Sequence, residues 1–534
     1  MDILLIQPPV HDFYLTQKRT IPYGLACIAS ALKSEGFDTQ IFDALSTHKS
    51  KILLWPENFL YLNEFYGRND ISPFALFHFY KHFGYSFQHI GKIARDSRPF
   101  LIGISSLFTA YSEQALMTAQ ITKQWHPHCK IVMGGHHPTH FPKEVLSHPD
   151  VDFVIRGEGE TSMPMLAKAL KTKKDLKDIP GIAFKTDDND FFIRPPSILN
   201  NLDDFPLPDI SSIHKRFYRR NGQKGLVITA SRGCPLKCSY CSMANDQWTY
   251  RKKSISRIID EIADGLGNEE SAFIDFEDEN ISLDRRWFLE LLDQINHHFS
   301  DRHLELRSMN GLYPSSLDKD IIVAMKQAGF SALNLSVGTF SSQQQARFKR
   351  KDLSTILPEI IQLAKQNHMP TTAYIIAAAP YQLPFESVDD LLTLFSMQTV
   401  IGLSIFYPSP GSEDYNQLIK EQLLPKDFSL MRGSVIPISH TTTRIQSLTL
   451  LRLTRMINFA QSLIYNNKKV PEPCSCNDVS LNPLDDRQII GEKLLSFFLY
   501  DGIIRGVEKD GLIYQHKTDD HLIHYFLNNF KVPK

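Results

Sequence analysis

The run Cys234-Pro235-Leu236-Lys237-Cys238-Ser239-Tyr240-Cys241 puts three cysteines on one short loop, directly after the apolar stretch Leu226-Val227-Ile228-Thr229-Ala230. Thiolates at this spacing suit a cubane iron–sulfur cluster, which is ordinarily held by four cysteines. A set of three leaves one iron open to a small molecule. An open iron does chemistry, whereas a fully ligated cluster mostly carries electrons. The alternatives are a zinc site or a chance group of buried thiols. Zinc is usually held by paired C-x2-C or Cys/His sets, and no second pair lies nearby. Cys474 and Cys476 form a separate C-x-C pair far along the chain; two thiols without further ligands read as structural or inert.

The cysteine spacing, with an aromatic residue just before the last Cys, resembles that of the radical S-adenosylmethionine (SAM) enzymes. In that family the open iron chelates the amino and carboxylate groups of SAM, and an electron from the cluster cleaves SAM to a 5′-deoxyadenosyl radical. The resemblance implies a [4Fe-4S] cluster on Cys234, Cys238 and Cys241, SAM beside Tyr240, and an electron donor such as flavodoxin or ferredoxin. From residue 226 to about 410, apolar runs alternate with amphipathic stretches. Candidate strands at 226–230, 272–276, 305–307, 332–336, 372–378 and 402–406 suit the partial (β/α)6 TIM-type barrel that the resemblance implies. Barrel active sites gather at the carboxyl ends of the strands. After the second strand stands Phe276-Glu277-Asp278-Glu279-Asn280, where the family has an acidic or GGE-like motif contacting the amino group of SAM. After the third comes Asn310-Gly311-Leu312 and after the fourth Ser336-Val337-Gly338, both similar to stretches that bond ribose hydroxyls or the SAM carboxylate. Glu277, Asp278, Glu279, Asn310 and Ser336 are therefore the expected SAM contacts. Gly338 removes a carboxylate that the family usually has, and Ile376-Ala377-Ala378-Ala379-Pro380 carries alanines where it has glycines.

Residues 1 to about 170 also alternate short apolar runs with amphipathic segments, the pattern of a parallel sheet with crossover helices. Strands are expected at 3–6, 100–105, 130–133 and 151–155, and 24–34 has helical periodicity. The last three of these strands run into Ser105-Ser106-Leu107, Gly134-Gly135-His136 and Gly157-Glu158-Gly159-Glu160. Open α/β sheets bind ligands at strand carboxyl ends, where glycine lets backbone come close. Together with Pro22-x-Gly24-Leu25-x-x-Ile28-Ala29, the set resembles the cobalamin-binding domain fused to many radical SAM enzymes. It implies cobalamin held by Ser105, Ser106, Leu107, Gly134, Gly135, His136, Gly157 and Glu158. Cobalamin domains with the D-x-H-x-x-G motif use its His on cobalt; here Gln7-Pro8-Pro9-Val10-His11-Asp12 occupies that region, so the lower face of cobalt has no assigned ligand.

The fold class expected is α/β: a Rossmann-like cobalamin-binding domain at 1–180, a hairpin and linker at 181–222, a radical SAM core at 223–424, and a mainly helical region at 425–534. The aromatic insertion at 72–90 reads as core packing, with an apolar wall above a ligand as the alternative. A length of 534 residues suggests about three domains. Apolar content of 42% with 22% charged residues is that of a soluble globular protein. A formal charge of −1 leaves no electrostatic footprint for nucleic acid or an anionic membrane surface. Seven cysteines in this length do not make a disulfide framework. No apolar stretch of about 18 residues suggests an integral membrane segment, and the N-terminus lacks a signal peptide's basic region. A cytoplasmic enzyme in an anaerobic host is expected, acting on a small-molecule substrate. The leading reading is methylation of an unactivated carbon by a radical SAM enzyme that uses cobalamin. The alternatives are a radical rearrangement, cyclisation or oxidation in the same architecture, and a non-catalytic corrinoid-binding redox sensor.

Overall fold

The run Ile3-Leu4-Leu5-Ile6 has no polar position to turn towards water, and it folds as an interior strand of a sheet covered on both faces. The computed structural model describes every residue except 14–20, 78, 214–216, 245–247, 436–440, 477–485 and 534. Its first sheet contains Ile3–Gln7 (β1), Thr39–Asp43 (β2), Leu101–Ser105 (β3), Lys130–Gly134 (β4), Phe153–Ile155 (β5), Ile182–Lys185 (β6) and Phe191–Ile193 (β7). Their order is β7-β6-β5-β4-β3-β1-β2. Pairing is parallel from β2 through β5 and antiparallel for β6 and β7, which extend the sheet as a hairpin. Side chains alternate across a strand, so Leu4, Ile6, Ile102, Ile104, Ile131 and Met133 pack on one face. Ile3, Leu5, Leu101, Val132 and Phe153 pack on the other. Burial on both faces is why these strands read as unbroken apolar runs.

Six further strands are Gln223–Ile228 (β8), Ser271–Phe276 (β9), His303–Ser308 (β10), Leu333–Gly338 (β11), Thr371–Ala377 (β12) and Val400–Ile405 (β13). They pair in parallel as two groups, β8-β9-β10 and β11-β12-β13. The bridges Leu306 to Phe330 and Leu312 to Leu335 join the groups, so the expected six-stranded partial barrel has a loosened seam between its third and fourth strands. The helices between strands start where a side chain accepts a backbone N–H: Ser254 from Arg257, Asp284 from Trp287, and Asp318 from Ile321. The helix Ile255–Leu266 then buries Ile258, Ile259, Ile262 and Leu266, one face at helical spacing.

The aromatic insertion is core. Leu76 and Tyr80 pack with Phe13, Phe59 and Tyr66 against Val435 and Leu448 of the C-terminal region, and Phe74 and Phe83 are also buried; His78 of the insertion lies outside the described residues. The C-terminal region is built from the helices Arg444–Tyr465, Arg487–Asp501 and Asp520–Asn529. It also carries a short hairpin, Arg505–Val507 with Ile513–Gln515, that periodicity did not signal.

A buried polar triad ties the first sheet's leading helix to the barrel. Glu261 is fully buried and pairs with Lys253 at 2.5 Å, and both meet the hydroxyl of Tyr23. Removing one member of a buried pair leaves an uncompensated charge, at a cost of about 3–5 kcal/mol. Lys253→Met should therefore lower the midpoint of urea unfolding at pH 7 by that equivalent. A change under about 1 kcal/mol would contradict the claim that Lys253 compensates a buried Glu261 charge.

Candidate functional site

The cysteine loop leaves the barrel through a closed neck. Past β8, Ser231 and Arg232 pair antiparallel with Lys252 and Arg251, so the intervening chain goes out and returns at one place. Gly233 sits in that neck at φ +82°, and a Cβ there would lie 2.3 Å from the carbonyl oxygen of Thr249. Its N–H donates to Glu279 Oε2 at 3.1 Å. The far side of the loop is held by Ser239, whose N–H donates to the Phe348 carbonyl and whose hydroxyl donates to Asp414. Cys238 is buried, with Cys234 and Cys241 half-buried beside it. Burial, reinforced by the neighbouring thiols, pushes Cys234 up and Cys241 up to about 11. Arg350 reaches Cys238 Sγ at 3.8 Å and donates to the Ser336 carbonyl at 2.5 Å, which sets a cation beside the thiols.

The three residues of the acidic loop part company. Asp278 is fully buried and accepts from the Ala230 N–H at 3.1 Å and from both the N–H and the hydroxyl of Ser231 at 2.5 Å. Burial pushes its pKa up to about 7, against those three donors. Asp278 thus braces the exit from β8, while Glu277 and Glu279 face a cavity. Tyr240 packs edge-on against Phe348 and bonds the Cys238 thiol. Asn310 is exposed and donates to the Asp278 carbonyl at 3.3 Å; Ser336 is half-buried. Neither Asn310, Ser336 nor Tyr240 lines the cavity shared by the two sheets.

That cavity, about 350 Å³, lies where the carboxyl ends of β1, β3, β4 and β5 meet the mouth of the barrel. Ser105, Leu107, Gly134, Gly135, His136, Gly157 and Glu158 line it from one side, and Glu277, Glu279, Met243 and Trp248 from the other. Gly135 is required by close approach: a Cβ there would lie 2.5 Å from the Ser106 carbonyl oxygen. Ser106 itself is buried, and its hydroxyl has no partner. His136 is open to the cavity yet surrounded by protein, and the loss of solvent lowers its pKa. His11 points elsewhere, bonded to His82 at 3.0 Å. Glu158 spends its carboxylate across the seam. It pairs with Arg232 at 3.3 Å and Arg251 at 2.7 Å, while Glu160 pairs with Arg232 at 2.6 Å.

Family models match the two halves of this seam: a B12 binding domain over residues 82–167, and the radical SAM superfamily over residues 228–394. One chain thus carries a B12 binding match and a radical SAM match in tandem. It is 26% identical over 338 residues to an uncharacterized methyltransferase of Pyrococcus horikoshii, covering 62% of this chain and 63% of that protein. It is 25% identical over 293 residues to an anaerobic magnesium-protoporphyrin IX monomethyl ester cyclase of Synechocystis, covering 54% and 56%. The chain therefore spans about three fifths of the length of these curated relatives. Among solved structures, the fold matches the radical SAM methyltransferase TsrM of Kitasatospora setae, bound to cobalamin and a [4Fe-4S] cluster. That match has a TM-score of 0.60 and 15% identity, covering 79% of this chain and 75% of that one.

The residues of both halves fit the groups that the family implies. In the radical SAM half, Cys234, Cys238 and Cys241 all carry free thiols on one loop. A cubane binds each thiolate through a different iron, so the cysteine loop suits it better than zinc. Glu277 and Glu279 offer carboxylates that suit the ammonium of SAM. In the B12-binding half, Gly24 lines the cavity and a Cβ there would meet nothing within 4 Å, while Ser106, whose hydroxyl is unpartnered, lines a neighbouring cavity with Ser105 and Leu107. Sequence reasoning missed Arg232, Arg251 and Arg350, because nothing local distinguishes an arginine whose partners lie far along the chain. Gly233 carries a local signal, a glycine directly before the first cysteine.

Gly233→Ala should displace the cysteine loop and cut iron bound after anaerobic reconstitution to less than about half. Gly267→Ala is the control: its φ is also positive, +56°, but a Cβ there meets nothing within 4 Å. Equal iron content in the two variants would contradict the role assigned to the neck.

Proposed function

We propose that the protein methylates an unactivated carbon of a small molecule, with a [4Fe-4S] cluster on Cys234, Cys238 and Cys241, SAM, and cobalamin. The observation that carries this reading is the single cavity of about 350 Å³ lined by the glycine loops of one half and the acidic loop of the other. When bound, the cluster and SAM supply a hydrogen-abstracting radical and cobalamin supplies a methyl group; such chemistry belongs to cofactors, with the protein binding and orienting.

The chain's own residues do the rest. Glu277 and Glu279 hold the SAM ammonium, and Asn310 and Ser336 stand beyond the third and fourth barrel strands for its remaining polar groups. Asp278 keeps Ala230 and Ser231 in position, and through them the neck of the cysteine loop. Arg350 supplies positive charge beside Cys238 and ties that side of the loop to the Ser336 carbonyl. Ser105, Ser106, Leu107, Gly134, Gly135, His136 and Gly157 receive the corrinoid, and Glu158 orients that surface through its arginines. Met243, Trp248 and Leu107 line the space with apolar surface that excludes water from a reactive intermediate. Among the described residues no helix is long and apolar enough to cross a membrane. A small-molecule substrate, a reduced flavodoxin or ferredoxin as electron donor, and a cytoplasmic location complete the reading.

Cyclisation is the second reading, favoured by similarity to the magnesium-protoporphyrin ester cyclase. Anaerobic turnover with methyl-labelled SAM and host extract separates the two. Methyl transfer predicts labelled product with S-adenosylhomocysteine and 5′-deoxyadenosine in about equal amounts, since each turnover uses SAM in two ways. Deoxyadenosine without homocysteine product or label would overturn methylation in favour of cyclisation.

A further inference from the structure

The helix Arg444–Tyr465 carries a buried guanidinium with idle donors. Arg452 is 3% exposed. Its Nη2 reaches the Phe65 carbonyl at a long 3.4 Å, and its Nε and Nη1 meet no acceptor. Arg455, three residues on and so near one turn along the same face, is half-buried, and the charge of Arg487 acts on it. The acid acting on both Arg452 and Arg455 is Asp70. Its oxygens are already committed: Oδ1 accepts from the Ser72 and Val507 N–H groups at 2.9 and 3.1 Å, and Oδ2 faces His516 Nε2 at 3.2 Å. Beside Arg452, the hydroxyl of Tyr514 is buried without a partner.

Native structures rarely leave buried N–H and O–H groups unpaired, and buried charges are normally compensated. Among the described residues Glu508 is paired with Arg68 and Asp486 caps its own helix, so Asp70 is the carboxylate acting on Arg452 and Arg455, and donors remain where acceptors are missing. An oxyanion supplies what is lacking, because a guanidinium fork binds its oxygens in pairs. A phosphate group carries about −1.5 to −2 at neutral pH with several acceptor oxygens, close to the surplus positive charge. We propose that Arg452, Arg455, Arg487 and the Tyr514 hydroxyl bind a phosphate group, free or on a small metabolite. Arg487 is exposed, and it donates to the Ser72 carbonyl at 3.1 Å. None of these residues lines the cavity described above. The bound group would fasten the insertion around Asp70 to the C-terminal helices and to the hairpin that carries Tyr514.

A ligand that binds only the folded state raises its thermal midpoint in a saturable way. The full-length protein, purified in chloride buffer, should show such a rise with inorganic phosphate or with glycerol phosphate, beyond any rise with potassium chloride at matched ionic strength. Saturation at tenfold or more lower glycerol phosphate assigns a phosphorylated metabolite; equal or lower concentrations of inorganic phosphate assign the free ion. Arg455→Gln and Arg452→Met should abolish the saturable rise. Arg455 is only half-buried, so its variant keeps the test open if Arg452→Met does not fold. No rise beyond the chloride control, or the same rise in Arg455→Gln, would overturn the proposal.

Discussion

Arg232 comes two residues before the first cysteine of the cysteine loop, and the carboxylates that hold it come from the other half of the molecule. Glu160 meets it at 2.6 Å and Glu158 at 3.3 Å, and Glu158 then reaches Arg251 on the paired strand. Charges withdrawn this far from water lose hydration, and that loss is offset only when every charge is paired in good geometry. Two arginines and two glutamates that satisfy one another meet the condition in only one docking of the halves. A shift of the sheet against the barrel would strand a buried ion. The network therefore sets the register between the loops at 157–160 and the neck of the cysteine loop.

The rest of the site follows from that register. Glu279 lines the cavity and also holds the Gly233 N–H, so the neck and the acidic loop move together. Asp278 grips the same stretch of backbone from below. On the opposite wall, Gly135 lets the β4 loop lie against the Ser106 backbone, and His136 projects into the space this leaves. The cavity is thus a gap between two rigid walls whose spacing is set by ion pairs at its edge. Arg432 anchors the C-terminal region to the first sheet in a similar way, pairing with buried Asp12 and donating to the carbonyls of His11 and Ala110.

Much of this was legible because the signals are local. The three cysteines lie within eight residues, and each glycine-bearing loop follows directly on an apolar strand. Strands buried on both faces announced themselves as apolar runs. What could not be read depends on partners distant in sequence. Arg251 meets Glu158 across 93 positions and Arg350 meets Cys238 across 112. The insertion's aromatic rings find Val435 and Leu448 hundreds of residues away. Asp278 and Glu277 look equivalent on paper; burial separates them, because one carboxylate has three donors at hand and the other faces the cavity. The strand β2, with only its ends buried, had too weak a pattern to stand out.

The central claim is that one cavity at this seam serves both halves. The most direct measurement is an anaerobic crystal structure of the full-length protein reconstituted with iron and sulfide and loaded with SAM and cobalamin. The account predicts SAM against Glu277 and Glu279, and the corrinoid against the loops at 105–107, 134–136 and 157–159, with the two facing one another across the cavity. A corrinoid bound elsewhere, or a wall of protein between it and SAM, would contradict it.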